Sequence, residues 1–200
     1  MLSIRKRIHK GLFVVVVLVC LFIILLWNSP LPVITSQLHD RAASKVVVTV
    51  YYEALCPDSK YFLAKQLLPT FKIAKSIMEV KLAPYGKAKT KQYNDPLLRL
   101  EVATCMIMDN RLPEEAMYKC AKQFNFDVTI IQNCFESNRG VDLLKVIGEA
   151  THLLRPPVTF IPTITIDGSQ GRQESILKDL FSEICKAAGD SEEVKDVCQN

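Results

Sequence analysis

Residues 45–62 place β-forming residues directly before a cysteine and a helix start, and this stretch constrains the fold more than any other. The run is β-branched or aromatic in near-continuous succession, at Val46, Val47, Val48, Val50, Tyr51 and Tyr52. Such a run predicts a strand that is buried on both faces of a sheet. Cys56 then occupies the position of a helix N-cap, and Pro57 suits the first helical position.

This placement predicts a reactive thiol at Cys56. The unpaired N–H groups and the dipole of a helix N-terminus favour a thiolate, which is the nucleophile in disulfide exchange. Asp58 adds a negative charge that opposes ionisation of Cys56. Ser59 is the fourth residue of the segment that begins at Cys56, and its hydroxyl can donate a hydrogen bond but cannot close a disulfide. The competing interpretation is that Cys56 is a buried structural or disulfide-bonded cysteine.

The N-terminal residues predict export of the rest of the chain. Basic residues in positions 1–10 precede sixteen consecutive apolar residues, Leu12 to Trp27. As a helix this segment is about 24 Å long, which suits a short membrane anchor or a long signal peptide. We expect a cytoplasmic tail (1–10), a signal anchor or signal peptide (11–28), a stalk (29–44) and a lumenal domain (45–200). Because no small-residue cleavage pattern follows Trp27, the sequence favours an uncleaved type II anchor; cleavage would give a secreted protein.

The charge argues against nucleic-acid binding, and the cysteine content indicates structural disulfides. Four N-terminal basic residues account for the whole net charge of +4, so no positive excess is left for binding nucleic acid. Besides Cys56, the exported part has five cysteines, which we treat as candidates for structural disulfides: Cys105, Cys120, Cys134, Cys185 and Cys198. Cys185 and Cys198 form a reasonable local pair. None of the cysteines has the close spacing of a zinc site, so no metal is expected.

The order of the remaining elements predicts an α/β, thioredoxin-like fold. Glu79 to Tyr85 alternates as a second strand, and residues 95–154 have helical patterns that predict a helical insertion. Strand character returns in Phe160 to Gly168, with Pro162 at its start and a turn at Asp167-Gly168, followed by a short strand and a closing helix over Gln173 to Ala187. A strand, a cysteine-bearing helix, a strand, an insert and a proline-led strand occur in this order in thioredoxin-like folds.

Several separated motifs together resemble the gamma-interferon-inducible lysosomal thiol reductase family. They are YYEALC (Tyr51 to Cys56), APYG (Ala83 to Gly86), the series Cys105, Cys120 and Cys134 followed by Asn138-Arg139-Gly140, FIPTITIDG (Phe160 to Gly168), and Cys185 with Cys198. The resemblance covers about residues 45–198. It implies reduction of protein disulfides in the endolysosomal lumen by a thioredoxin-like domain.

The resemblance also implies roles for individual residues. Cys56 matches the nucleophile, and Ser59 matches the position of the resolving cysteine. Pro162 matches a cis proline that faces the nucleophile, and the backbone of Ile161 is expected to hold a substrate strand. The sequence departs from the family in two places, at Ser59 and in Lys87 to Leu98, which lacks the Cys-Gln-His-Gly signature segment.

Three hypotheses follow for the function. The first is a thiol-disulfide oxidoreductase that acts on disulfide-containing proteins through Cys56 alone, with no bound cofactor and with an external thiol such as glutathione or cysteine resolving the mixed disulfide. The second is a catalytically impaired binding module that holds polypeptide beside Pro162. The third is a structural domain in which Cys56 is permanently disulfide-bonded.

Overall fold

The computed structural model describes residues 45–84 and 95–199. Within these ranges the sheet has three strands, β1 (Val46–Tyr52), β2 (Met78–Pro84) and β3 (Thr163–Ile166), in the order β2-β1-β3. The first two strands are parallel and β3 is antiparallel to β1. The chain is therefore mixed α/β, as predicted, and β1, the strand that leads to Cys56, lies in the centre of the sheet.

Helices surround this sheet. They are α1 (Pro57–Phe62), α2 (Leu68–Ala74), α3 (Pro96–Met108), α4 (Pro113–Phe124), α5 (Thr129–Glu136), α6 (Asn138–His152), α7 (Gln173–Lys178), α8 (Leu180–Ala188) and α9 (Glu192–Cys198). Four of them, α3 to α6, make up the predicted helical insertion. Among the described residues no helix has the length and apolarity needed to cross a membrane. The apolar segment 12–27, which we expect to be an anchor or signal peptide, lies outside those residues.

The first helical segment changes its hydrogen-bond pattern where a proline interrupts it. A π-helical turn, Leu63–Leu67, joins α1 to α2, and the Leu68 N–H donates to the Leu63 carbonyl five residues back. Pro69 follows at once and has no N–H to continue the α-helical pattern. The helical run continues nonetheless to Ala74, because its apolar side packs in the core: Phe62, Leu63, Leu67 and Phe71 are buried.

The prediction that β1 is buried on both faces is right for only half of the strand. Val46, Val48 and Val50 are buried, whereas Val47 and Thr49 are half-buried. These two residues lie on the second face of the sheet, beside the exposed Glu79 and Lys81 of β2. At the end that leads to Cys56 the strand is buried on both faces, since Tyr51 and Tyr52 follow the buried Val50.

The insertion joins the main apolar core through α3. Leu100 and Ile107 of α3 belong to the main apolar core, and Lys72 of α2 forms a 2.8 Å ion pair with Glu101. By contrast, α5 has no buried residue and α6 buries only Thr151. The second half of the insertion is therefore a mostly exposed pair of helices, of which α6 also contacts β2.

The β3 strand is followed by a tight turn and not by the predicted fourth strand. Ile166 and Ser169 exchange backbone hydrogen bonds of 2.8 and 3.0 Å around Asp167 and Gly168, which have positive φ angles of 49° and 81°. This is the geometry of a two-residue hairpin turn, which the Asp-Gly sequence predicts. Pairing stops at this single bridge among the described residues.

A glutamine side chain takes the place of the fourth strand. The Ile164 N–H donates to Gln173 Oε1 at 2.9 Å, and Gln173 Nε2 donates to the Ile164 carbonyl at 2.5 Å. An amide side chain thus satisfies the two outward-facing backbone groups of Ile164, as a neighbouring strand would do. This arrangement closes the outer edge of β3, and α7 begins at Gln173 itself.

The pairing of Gln173 with Ile164 predicts a measurable stabilisation. Replacing Gln173 by Ala leaves a backbone N–H and a carbonyl in a partly buried position without partners, which costs about 1–3 kcal/mol of the free energy of unfolding. Gln173→Glu retains an acceptor for the N–H but loses the donor to the carbonyl, and we expect a loss of similar size. Urea unfolding of the oxidised protein measures both. The exposed Gln199→Ala is the matched control, and an equal effect of Gln173→Ala and Gln199→Ala contradicts this account.

Candidate functional site

Cys56 lies at the N-cap of α1, as the sequence predicts. Its backbone is extended (φ −74°, ψ 122°), which is the conformation that a following proline favours, and Pro57 is the first helical residue. The Cys56 N–H donates to the Glu53 carbonyl at 3.2 Å, and the Cys56 carbonyl accepts from Lys60 at 3.1 Å. The thiol is free and half-buried. It is therefore fixed at a helix start while part of it faces solvent.

The sheet brings Ile161 and Pro162 to the same place. Because β3 is antiparallel to β1 and Thr163 pairs with Tyr51, the residues before β3 lie beside those after β1. The Cys56 thiol donates to the Ile161 carbonyl, with Sγ 3.6 Å from the oxygen. The Ile161–Pro162 peptide bond is cis. Three of the residues that the sequence analysis singled out are therefore adjacent in space.

Ser59 is fully buried and supports the loop that precedes Cys56. Its Oγ accepts a hydrogen bond of 3.3 Å from the Glu53 N–H. That bond and the turn between Glu53 and Cys56 hold residues 53–56 against the first turn of α1. Ser59 therefore has a structural contact of its own, and none of the hydrogen bonds recorded among the described residues joins it to Cys56.

The helical insertion also contacts this loop, through residues that the sequence analysis missed. Asn110, in the connection between α3 and α4, donates its side-chain amide to the Ala54 carbonyl. Lys60 donates to the carbonyl of Met108, at the end of α3. No local pattern marks Asn110 or Lys60, because both bonds depend on how the insertion packs against α1.

Four of the five disulfide candidates form two bonds. Cys105 of α3 is joined to Cys120 of α4, with Cα atoms 6.0 Å apart, and Cys185 is joined to Cys198, with Cα atoms 5.8 Å apart. The first bond holds together the two helices whose connection carries Asn110. The second ties α9 to α8.

Cys134 differs from the other candidates, and its assignment to a disulfide is corrected. It is free and half-buried on α5, with no disulfide partner among the described residues. The other four candidates are already paired with one another, and Cys56 contacts Ile161 instead. The backbone at Cys134 lies close to Gly140 of α6, since a Cβ at Gly140 would lie 2.6 Å from the Cys134 carbonyl oxygen. This contact accounts for glycine at position 140.

The two tyrosines at the end of β1 are held in the neutral form. Burial raises the pKa of Tyr52 far above its ordinary value. Burial also raises the pKa of Tyr51, by more than its hydrogen bond with Thr165 lowers it. Neither phenol is therefore suited to accept or release a proton near neutral pH. The described residues contain no cluster of His, Cys, Asp and Glu that could hold a metal ion.

Comparisons with known proteins relate the chain to one family. The sequence model of the family described as gamma interferon inducible lysosomal thiol reductase (GILT) matches residues 47–97, a segment that contains Cys56 and Ser59. The chain is similar to a gamma-interferon-inducible lysosomal thiol reductase-like protein of Anopheles gambiae, with 30% identity over 161 residues, which covers 60% of this chain and 67% of that protein.

Two vertebrate proteins named gamma-interferon-inducible lysosomal thiol reductase are also similar. The protein of Carassius auratus is 29% identical over 172 residues, covering 72% of this chain and 68% of its own length. The protein of Mus musculus is 27% identical over 187 residues, covering 78% and 72%. With the family match around Cys56 and relatives that align over two thirds of their length, the chain belongs to the gamma-interferon-inducible lysosomal thiol reductase family.

Proposed function

We propose that the protein is a thiol-disulfide oxidoreductase that acts on protein disulfides through Cys56 alone. The 3.6 Å contact between Cys56 Sγ and the Ile161 carbonyl carries the proposal, because it joins a half-exposed free thiol to a backbone acceptor beside a cis proline. The relatives named as thiol reductases support the same reaction class. The core around this contact is proposed to be thioredoxin-like, which the parallel β1-α1-β2 unit and the antiparallel β3 support.

The reaction proceeds by two thiol-disulfide exchanges after the first attack. The Cys56 thiolate attacks one sulfur of the client disulfide, forms a mixed disulfide and releases the other client sulfur as a thiolate. An external thiol such as cysteine or glutathione then attacks Cys56 Sγ and releases the second client thiolate. A second external thiol restores Cys56 and leaves as part of a small disulfide. In total the client gains two electrons and two protons, and two external thiols become one disulfide.

Two features explain why an external thiol is required. Ser59 has no sulfur, and its hydroxyl is buried and occupied by the Glu53 N–H. The cysteines at 105, 120, 185 and 198 are in disulfides, and no recorded contact joins Cys56 to Cys134 among the described residues. Intramolecular release of the client, as in a two-cysteine reductase, is therefore replaced by exchange with a small thiol.

The Ile161 carbonyl is proposed to act as a client-binding group. It accepts from the protonated Cys56 thiol in the resting protein. Once the sulfur is a thiolate or is part of a mixed disulfide it has no proton to donate, so the carbonyl becomes available for a backbone N–H of the client. Binding of an extended client beside Pro162 is thus coupled to the covalent step.

We also propose where this reaction takes place. Residues 1–10 are cytoplasmic, residues 11–28 form a signal anchor or a signal peptide, residues 29–44 form a stalk, and residues 45–200 form the thioredoxin-like domain in the secretory or endolysosomal lumen, with a helical insert at about 95–154. The two disulfides and the word lysosomal in the names of the relatives support a lumenal domain.

The catalytic role of Cys56 predicts a large loss of turnover in Cys56→Ala. Because the nucleophile is removed, the rate of client disulfide reduction with cysteine as reductant falls on the order of 100-fold or more. Cys134→Ala is the matched control, since Cys134 is also a free and half-buried thiol, and it retains the rate of the unmodified protein. If Cys56→Ala still captures client polypeptide and only Pro162→Ala loses capture, the protein is a binding module and the proposal is wrong.

The absence of a resolving thiol predicts a trapped intermediate. When the reduced protein meets client disulfide without added thiol, a mixed disulfide with Cys56 accumulates and is visible by mass spectrometry. In Ser59→Cys the second thiol at the same helix start releases the client and leaves a disulfide between positions 56 and 59. Ser59→Ala accumulates the intermediate as the unmodified protein does. Rapid client release by the unmodified protein without added thiol contradicts external resolution.

The proposed topology predicts a specific protease-protection pattern. In sealed microsomes an epitope at the C-terminus is protected from added protease until detergent is present, whereas an epitope at the N-terminus is digested from the outside. An uncleaved anchor keeps both epitopes on one chain, and cleavage near residue 28 separates them. Digestion of the C-terminal epitope in sealed microsomes excludes a lumenal domain.

A further inference from the structure

We propose that the surface around Cys56 selects clients whose half-cystine is flanked by apolar and basic residues, and disfavours acidic flanks. The inference rests on the proposed function of Cys56 and adds to it the client sequence that reacts fastest. Two groups of side chains carry it. One is the apolar rim, which we define as Leu55, Leu112 and Phe160, and the other is the carboxylate pair, Glu53 and Asp58.

Two members of the apolar rim lie directly beside the reacting groups. Leu55 precedes Cys56 in the chain and is 71% exposed. Phe160 precedes Ile161, whose carbonyl accepts from the Cys56 thiol, and is 43% exposed. Single exposed apolar residues are common on protein surfaces, but a group of them around one reactive atom indicates a surface that is covered in a complex.

The third member comes from the helical insertion. Asn110 contacts the Ala54 carbonyl, so the connection between α3 and α4 lies against the loop that carries Leu55. Leu112 follows two residues later and is 58% exposed. The Cys105–Cys120 disulfide closes the helix pair around this connection and keeps it in place. The rim therefore comes from three chain segments, namely the loop before Cys56, the segment before Ile161 and the connection that contacts Ala54.

The carboxylate pair gives this surface its charge preference. Glu53 and Asp58 lie within three residues of Cys56 on either side, and both are exposed. In the described part of the chain no salt bridge uses either of them. Lys60, the basic residue nearest in sequence, donates to the Met108 carbonyl of the insertion. A basic client residue beside the disulfide therefore meets two unpaired negative charges.

A single extended polypeptide fits all of these features. Its half-cystine meets Cys56, a backbone N–H meets the Ile161 carbonyl, and flanking side chains reach the apolar rim and the carboxylate pair. If a client side chain covers about 50 Å² of apolar surface on the rim, the binding equilibrium shifts towards the complex about tenfold. A unit charge on the client about 7 Å from one carboxylate in water changes the binding equilibrium about threefold. Exchanging Lys for Glu at that client position reverses the sign of the interaction and therefore changes the equilibrium about tenfold.

The test uses the full-length protein, with cysteine as reductant, and one series of short peptide disulfides. The peptides differ only in the residues on both sides of the half-cystine, which are Leu, Ser, Lys or Glu, and hydroxyethyl disulfide serves as a client without flanks. Each rate is divided by the rate of the same disulfide with cysteine alone, which removes differences in intrinsic reactivity. We expect the normalised rate of the Leu peptide to exceed that of the Ser peptide about tenfold. We expect the normalised rate of the Lys peptide to exceed that of the Glu peptide about tenfold.

Variants separate the two groups of side chains. Leu55→Ser and Leu112→Ser lower the ratio of Leu to Ser peptides, and Glu53→Gln and Asp58→Asn lower the ratio of Lys to Glu peptides. Val146→Ser, an equally exposed apolar residue on α6, changes neither ratio. In 1 M salt, where the screening length is about 3 Å, the Lys preference shrinks while the Leu preference persists.

Two results overturn the proposal and can be told apart. Catalysis of every disulfide, with equal ratios across the peptide series, refutes the selectivity and leaves the proposed function of Cys56 intact. No catalysis of any client, hydroxyethyl disulfide included, refutes both.

Discussion

The pairing of β1 with β3 is the constraint on which the site depends. Cys56 follows one strand and Ile161 precedes the other, so any slip in register separates the thiol from the carbonyl. The register is fixed at the far end by Asp167, whose side chain accepts from the Val47 N–H at 2.8 Å and whose own N–H donates to the Val47 carbonyl at 2.8 Å. One residue of the turn thereby holds both backbone groups of Val47.

At the outer edge of β3, a side chain and a turn satisfy backbone groups that a further strand would otherwise pair with. Gln173 pairs with the outward-facing backbone groups of Ile164, and the two-residue turn brings Ser169 back onto Ile166. A short strand of four residues would otherwise present open backbone groups beside a site proposed to bind extended polypeptide. Closing this edge leaves the Ile161 carbonyl, one residue before the cis proline, as the backbone acceptor nearest to Cys56.

The sequence predicted the parts of the site that are encoded locally. A β-branched run before Cys56 and Pro57 specifies the strand and the helix start, and Asp167-Gly168 specifies the turn, because each depends on the backbone preferences of a few neighbouring residues. The family resemblance supplied Ile161 and Pro162, which no local pattern links to Cys56.

The sequence could not predict contacts that depend on how distant elements pack. Gln173 lies in a helical pattern, and nothing near it shows that its amide would replace a strand. Asn110 is one polar residue in a connection, and its contact with Ala54 arises only once α3 has packed into the core. Apart from the local pair Cys185 and Cys198, the partners of the candidate cysteines were likewise open. The packing of α3 against α4 decides that Cys105 joins Cys120 and that Cys134 is free.

Ser59 illustrates how the site and the fold constrain each other. Its hydroxyl is buried and holds the Glu53 N–H, so it fixes the loop that carries Leu55 and the carboxylate pair. A thiol at this position accepts hydrogen bonds only weakly, and a second cysteine would gain an internal resolving group at the expense of that bond. Ser59 holds the loop, and in the proposed reaction an external thiol releases the client after approaching Cys56 past the same two carboxylates. Under that proposal the charge around the site acts on both half-reactions, on the client that enters and on the small thiol that frees it.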